Sequence, residues 1–155
     1  MRENMGLFRG KRLDNGQWVE GFLFHDIDCG ETEIQFVQYA VDDYAVESWH
    51  NGYEVDPSTV GECTGIPDIK GRIMWEGDIV EYVDDYMMHC SRGVVCFHDG
   101  SFCLAVEHKY GNTVDHYYHR IGHVGHVHEQ GFSGDIHYKY RIVGNIHDNP
   151  DLMEA

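Results

Sequence analysis

The apolar residues of this chain fall in short runs separated by glycine, asparagine and aspartate, the pattern of strands joined by tight turns. Phe8 to Leu13 and Gln17 to Phe24 flank Asn15-Gly16, a pair that supplies the positive φ values of a two-residue type I′ turn. That register sets Leu13 opposite Trp18, Lys11 opposite Glu20 and Phe8 opposite Leu23. After a turn at Asp28-Cys29-Gly30, a third strand is expected over Glu33 to Tyr39, followed by an ambiguous aromatic segment from Tyr44 to Tyr53. Ile79 to Val83 reads as a largely buried strand, and a loop is expected from Asp84 to Arg92. Gly93 to His98 and Ser101 to Val106 then form a second hairpin about Asp99-Gly100, with Phe97 facing Phe102 and Cys96 facing Cys103. The last strand runs from Tyr140 to Ile146. Asn149-Pro150-Asp151 is chemistry for a short terminal turn of helix, with Asn149 as the cap.

A chain of 155 residues can bury a proper core, and its length favours one domain. Eighteen glycines, ten tyrosines and seven phenylalanines suit β structure, and no Ala/Glu/Leu/Lys-rich block offers a long helix. The fold class is all-β. A strand starting at Gly77-Asp78, a Gly-Val-Val hairpin and a returning strand are compatible with a small, barrel-like, mixed or antiparallel fold of SH3-like pattern.

The stretch from Val55 to Val80 carries the densest local signals. Pro57 pushes Asp56 to an extended conformation, Gly65 and Gly71 permit left-handed turns, and Pro67-Asp68 is turn chemistry, so the segment folds back on itself. Within it stand Val55-Asp56-Pro57, Thr59-Val60-Gly61, Thr64-Gly65, Gly71 and Glu76-Gly77-Asp78-Ile79-Val80. Outside it stand Phe8-Arg9-Gly10-Lys11-Arg12, Gly16-x-Trp18-Val19, Gly93-Val94-Val95 and Ile142-x-Gly144-Asn145-Ile146-x-x-Asn149-Pro150. In order and spacing these resemble the YopX-like family of phage and prophage proteins. The resemblance implies a small, mainly β accessory protein without an established activity, and it supplies no catalytic residues. It makes residues 1–155 a single YopX-like domain, with an N-terminal β lobe over 1–54 and the signature segment plus a barrel-like lobe over 55–155. Residues 107–138 depart from the family pattern as a histidine-rich excursion, an elaborated hairpin or loop.

Charge narrows the partners. Lys and Arg number 11 against 27 Asp and Glu, a formal charge of -16, which argues against direct binding to nucleic acid. The first twelve residues carry 4 minus 1, or +3, leaving 7 minus 26, or -19, on the rest. That basic terminus either meets an acidic neighbour or protects an edge strand from unwanted pairing. No apolar run reaches membrane-span length, and the N-terminus lacks a secretory core, so the expected location is cytoplasmic, within a bacterial host cell. Five cysteines, with no C-x-x-C, read as reduced thiols.

Candidate chemistry is confined to histidine. Eight of the twelve histidines lie between His108 and His147. As a strand, that segment projects His126 and His128 to one side about 6 to 7 Å apart, close enough to share a metal. Zinc or another transition metal there needs a further ligand, which Asp135 or His137 on a returning strand can supply, so the metal candidates are His126, His128 and His137. Without that metal no cofactor is expected. His25-Asp26, His98-Asp99 and His147-Asp148 sit where strands end and read as turn residues. Gly131-Phe132-Ser133-Gly134-Asp135 misses the G-x-S-x-G nucleophile elbow at its final position, and no phosphate-binding or dinucleotide loop is present. Any functional aromatic patch is expected at Trp49 to Tyr53 or Tyr117-Tyr118.

The resulting expectation is a non-enzymatic phage or prophage accessory protein that acts through protein contacts, with another protein or with itself as a homo-oligomer. Two alternatives stand beside it: a metal-binding protein or metal-dependent hydrolase using the histidine-rich segment, and an acidic decoy of a host nucleic-acid-binding protein.

Overall fold

The computed structural model describes residues 6–25, 27–42, 45–84, 90–122, 125–129 and 132–154, with side chains described at all of these but 35–42, 45–51, 84, 125–129 and 132–136. Thirteen strands follow in order: β1 Phe8–Lys11, β2 Trp18–His25, β3 Thr32–Asp42, β4 Ala45–Glu54, β5 Gly61–Pro67, β6 Ile73–Trp75, β7 Asp78–Asp84, β8 Cys90–His98, β9 Ser101–Tyr110, β10 Thr113–Arg120, β11 Gly125–Glu129, β12 Phe132–Ile136 and β13 Tyr138–Asn145. Two short 3-10 turns, Pro57–Thr59 and Pro150–Met153, complete the elements, so the all-β class holds. The chain divides into two compact units, 1–63 and 64–155. The division falls beyond the 54/55 boundary expected from sequence because Val55 to Cys63 is tied to the first unit. Asp56 donates its N–H to Lys11 O, Lys11 donates to Thr59 Oγ1, and Cys63 donates to Leu7 O.

In the first unit the strand order is β4-β3-β2-β1-β5, antiparallel throughout. β1 therefore lies between two partners, and the edge-strand explanation of its basic residues is withdrawn. Arg9 stands opposite Glu20, Arg9 and Lys11 lie over the Trp18 ring at 4.7 and 5.5 Å, and Arg12 pairs with Asp14 while lying 4.0 Å over Tyr53. The hairpin register also differs from expectation: Lys11 faces Trp18, Arg9 faces Glu20 and Phe8 faces Gly21. The cause is the loop. Arg12 N–H bonds to Gln17 O and Gly16 N–H to Arg12 O, which closes a four-residue loop over 13–16. A type I′ turn needs positive φ at both central residues, whereas here Gly16 adopts it and Asn15 spends its side chain accepting from Gln17 N–H.

In the second unit β10-β9-β8-β7-β13 form a five-stranded antiparallel sheet, and β11 and β12 pair as a separate hairpin. The second hairpin of the sequence reading is present in the expected register. Phe97 faces Phe102 with rings in edge contact at 5.3 Å, Cys96 faces Cys103, and Asp99 and Gly100 take φ of 47° and 78°. None of the five cysteines is joined in a disulfide. The stretch after residue 107 is regular: β9 continues to Tyr110, turns at Gly111 and returns as β10.

The sheet coils strongly. His119 of β10 stacks on Tyr82 of β7 with ring centroids 4.4 Å apart, although β9 and β8 lie between them in the hydrogen-bonded order. A flat sheet would hold those two backbones about 14 Å apart. Inside the curl sit Met74, Val80, Val95, Leu104, Val106 and Ile121. Coiling stops short of closure, so the barrel-like expectation becomes an open, coiled sheet: among the described residues β10 pairs with β9 and β13 with β7, but not with each other.

The outer edge of β13 is covered by the turn of the signature segment. Ile69 N–H bonds to Tyr140 O, and the Arg72 guanidinium bonds to Ile142 O. Asp68 holds that turn. Burial alone would raise its pKa, but hydrogen bonds from the Arg72 backbone and side chain, Ile142 N–H and Lys70 N–H outweigh burial and hold the carboxyl at about 2. The terminal turn differs in its cap. Asn149 turns its side chain back to accept from Asn145 N–H instead of capping Pro150–Met153.

Two stability predictions follow from these contacts. Asp68→Asn should destabilise by about 2 kcal/mol near neutrality by breaking a charge-assisted network. The native carboxyl titrates below its unfolded value, so its contribution is complete above about pH 4 and fades as pH falls toward about 2. Urea unfolding of both proteins across that range should show the two curves converging, and a difference that persists at pH 2 would contradict the assignment. Gly93→Ala should cost about 1 to 3 kcal/mol, because its β-carbon would lie 2.9 Å from Ala105 O and Leu104 Cβ. A neutral result in urea unfolding would refute that close approach.

Candidate functional site

The metal candidates divide between strand and connection. The β11/β12 register places Asp135 across from His126 and Ser133 across from His128. The side chains of His126, His128 and Asp135 lie outside the described residues. His137 is exposed in the connection between β12 and β13. Among the described residues no group of three His, Cys, Asp or Glu side chains is placed to hold a metal ion. His123 and Gly131 also lie outside them, as does Asp26 of the first His-Asp pair.

The second His-Asp pair is local. His98 Nε2 lies 3.3 Å from Asp99 Oδ2 at the hairpin turn, and the ring stacks on exposed Tyr118 at 3.7 Å. His147 lies beside Gly77, where its ring approaches the position a β-carbon would take.

Two other histidines, His108 and His119, join a network when β10 folds over the core. His108 stacks on Tyr117 with centroids 5.0 Å apart, and its Nε2 lies 3.1 Å from the Tyr117 hydroxyl. That hydroxyl is hydrogen-bonded to the Tyr82 hydroxyl. His119 stacks on Tyr82, meets Tyr138 edge-on at 4.5 Å and places Nε2 3.0 Å from the Tyr140 hydroxyl, which also accepts from Gly122 N–H. His116, on the other face, lies 3.7 Å from Glu107. Burial first, then the Tyr117 hydroxyl, pushes the Tyr82 phenol well above its usual range, and burial also raises that of Tyr140. The network holds hydroxyls and imidazoles against rings. Of the aromatic pair Tyr117-Tyr118, Tyr117 stacks on His108 and Tyr118 on His98, and both remain exposed. Trp49 lies outside the described side chains, and Tyr53 carries Arg12.

A different feature was not anticipated. Pairing of β8 with β9 runs from His98 opposite Ser101 to Val94 opposite Ala105 and ends there. Beyond Gly93, residues Cys90 to Arg92 of β8 stay with β7, and Val106 to Tyr110 of β9 stay with β10. The two strands part like a fork. Between them lies a cleft of about 490 Å³, lined by consecutive residues of both strands, 90–92 and 106–109, and by the terminal turn at Leu152 to Glu154. Consecutive lining residues mean that backbone edges, not one row of side chains, face the opening.

Charge pins the cleft wall. Arg92 Nη2 bonds to Glu81 Oε1 at 2.6 Å and Nη1 to Leu152 O, while its Nε is buried without a hydrogen-bond partner among the described residues. Glu81 also pairs with Arg141. Hydrogen bonds from Arg141 and then Arg92 hold its carboxyl below the usual range against the effect of burial. The sequence signal for the fork is Gly93 in Gly93-Val94-Val95. A glycine inside a strand, here followed by two β-branched valines, marks close backbone approach.

With this geometry in place, comparison with protein families decides the relationship: residues 7–154 match the family described as YopX protein. The chain belongs to the YopX family. The match covers nearly the whole chain and includes the signature turn at Asp68, the Gly93 fork and the terminal turn. Comparison with curated proteins gives no match. No helix among the described residues of this YopX-family chain is long and apolar enough to cross a membrane.

The aromatic network of the YopX-family sheet makes a spectroscopic prediction. Alkaline titration followed by tyrosinate absorbance should show a late-ionising component in the wild type that shrinks by one tyrosine in Tyr82→Phe. An identical late component in both proteins would show that Tyr82 is not the shielded phenol.

Proposed function

We propose that this YopX-family chain is a non-enzymatic protein-interaction module of phage or prophage origin, working in the cytoplasm of its bacterial host. The observation that carries the reading is the fork between β8 and β9, where two strand edges and the terminal turn line one cleft. Main-chain edges bind other polypeptides by strand addition. The partner is a protein, or a second copy of the chain. A formal charge of -16 opposes direct contact with nucleic acid and favours a basic protein, as the acidic-decoy version of this reading requires.

The second reading, a metal-binding protein or metal-dependent hydrolase, draws on the β11/β12 register, which sets Asp135 across from His126 with His128 two residues further on. Two measurements separate the readings. Light scattering and chemical cross-linking in bacterial extract should give either a mass above the monomer or a defined cross-linked protein partner, and a monomer with neither would count against the interaction module. Elemental analysis of untagged, dialysed protein should find no stoichiometric transition metal. About one metal per chain, lost in the His126→Ala and His128→Ala double variant, would establish the second reading.

A further inference from the structure

We propose that the cleft between β8 and β9 receives an extended, basic segment of a partner protein, which adds itself to the sheet by main-chain hydrogen bonds. This rests on the interaction-module reading and assigns it a site and a partner chemistry. Each strand residue directs its N–H and C=O sideways, alternately to one neighbour and the other. Cys90 to Arg92 satisfy one side through β7, and Val106 to Tyr110 satisfy one side through β10. The remaining sides of Cys90 to Arg92 and of Glu107 to Lys109 face the cleft, because pairing between these strands ends at Val94 and Ala105. Exposed strand edges are the template that strand addition uses.

The side chains around the opening select the occupant. With Val106 buried in the core, its accessible apolar lining is Leu152 and Met153 of the terminal turn, which suits an apolar residue of an incoming strand. Glu81 is already bonded by Arg92 and Arg141, so its charge is answered within the fold. Glu107 and Glu154 remain exposed at the cleft, against the single exposed cation Lys109. With Arg92 and Arg141 both counted against Glu81 the charges around the cleft balance, so it is the chain's -16, with Glu107 and Glu154 exposed at the opening, that attracts lysine and arginine and repels acidic segments. Alternating basic and apolar residues therefore match the site in both respects. The cleft volume of about 490 Å³ is within the range of ligand-binding clefts.

The test uses the full chain and a short blocked peptide of alternating lysine and valine, with two control peptides. One carries N-methyl groups on the valines, which keeps charge and side chains but removes main-chain donors; the other replaces lysine by glutamate. Amide chemical shifts should move at Cys90 to Arg92 and Val106 to Lys109 on addition of the lysine peptide. N-methylation should weaken binding by about tenfold or more, as loss of two main-chain hydrogen bonds would. The glutamate peptide should leave the spectrum unchanged, and Glu107→Lys combined with Glu154→Lys should weaken the lysine peptide.

No binding, equal binding of the N-methylated peptide, or shifts confined to other residues would each overturn the proposal. Concentration-dependent shifts of the same amides without peptide would overturn it in favour of a second copy of the chain as occupant. A cross-linked cellular partner retained unchanged by the Glu107→Lys, Glu154→Lys variant would overturn the cleft assignment while leaving the interaction module standing.

Discussion

The outer side of the five-stranded sheet depends on one close approach. β8 passes β9 so tightly at Gly93 that a β-carbon there would collide with Ala105 O, Leu104 Cβ and Val106 Cγ2, all at 2.9 Å. Beyond that crossing, β8 follows β7 and β9 follows β10, because each continuing strand keeps the partner that covers the core. The coil that brings His119 of β10 onto Tyr82 of β7 parts the two middle strands on the other side. Core closure and cleft opening are thus two results of the same twist. Arg92 joins them, since it reaches from the parted strand to Glu81 on β7 and to the terminal turn at Leu152.

The parts legible in the sequence were those governed by residues adjacent in the chain. Asp99-Gly100 both take positive φ, so the short turn set the register of Cys96 with Cys103 and of Phe97 with Phe102. Asn15-Gly16 carried the same signal, yet Asn15 bonds to Gln17 and the loop takes two more residues, which shifts the pairing. The difference lies in hydrogen bonds that compete locally, and composition does not reveal which will win. Gly65 and Gly71 take the left-handed conformations read from the signature segment. Asp68 as the hub of that turn was not legible, because one of its donors, Ile142 N–H, arrives from the last strand.

The candidate site was less visible for the same reason. Histidine abundance pointed to metal chemistry at His126, His128 and His137, whereas His108 and His119 are drawn into ring stacks by a β10 strand that the sequence left as hairpin or loop. The fork is a missing pairing, and a missing pairing between strands leaves only an indirect mark, the small residue at Gly93. Charge also changes meaning once placed: Arg9, Lys11 and Arg12 meet Glu20, Trp18 and Asp14 within the fold.

The central claim is that β8 and β9 are paired on one side of Gly93 and open on the other. Amide hydrogen exchange resolved by residue measures this directly in the free protein. The account predicts continuous protection across the paired ladder from Val94 to His98 and Ser101 to Ala105. Over Cys90 to Arg92 and Val106 to Lys109 it predicts alternation, with amides directed at β7 or β10 protected and those directed at the cleft exchanging rapidly. Uniform slow exchange over both segments would mean that the edges are already satisfied, and the cleft would lose its claim as a site of strand addition.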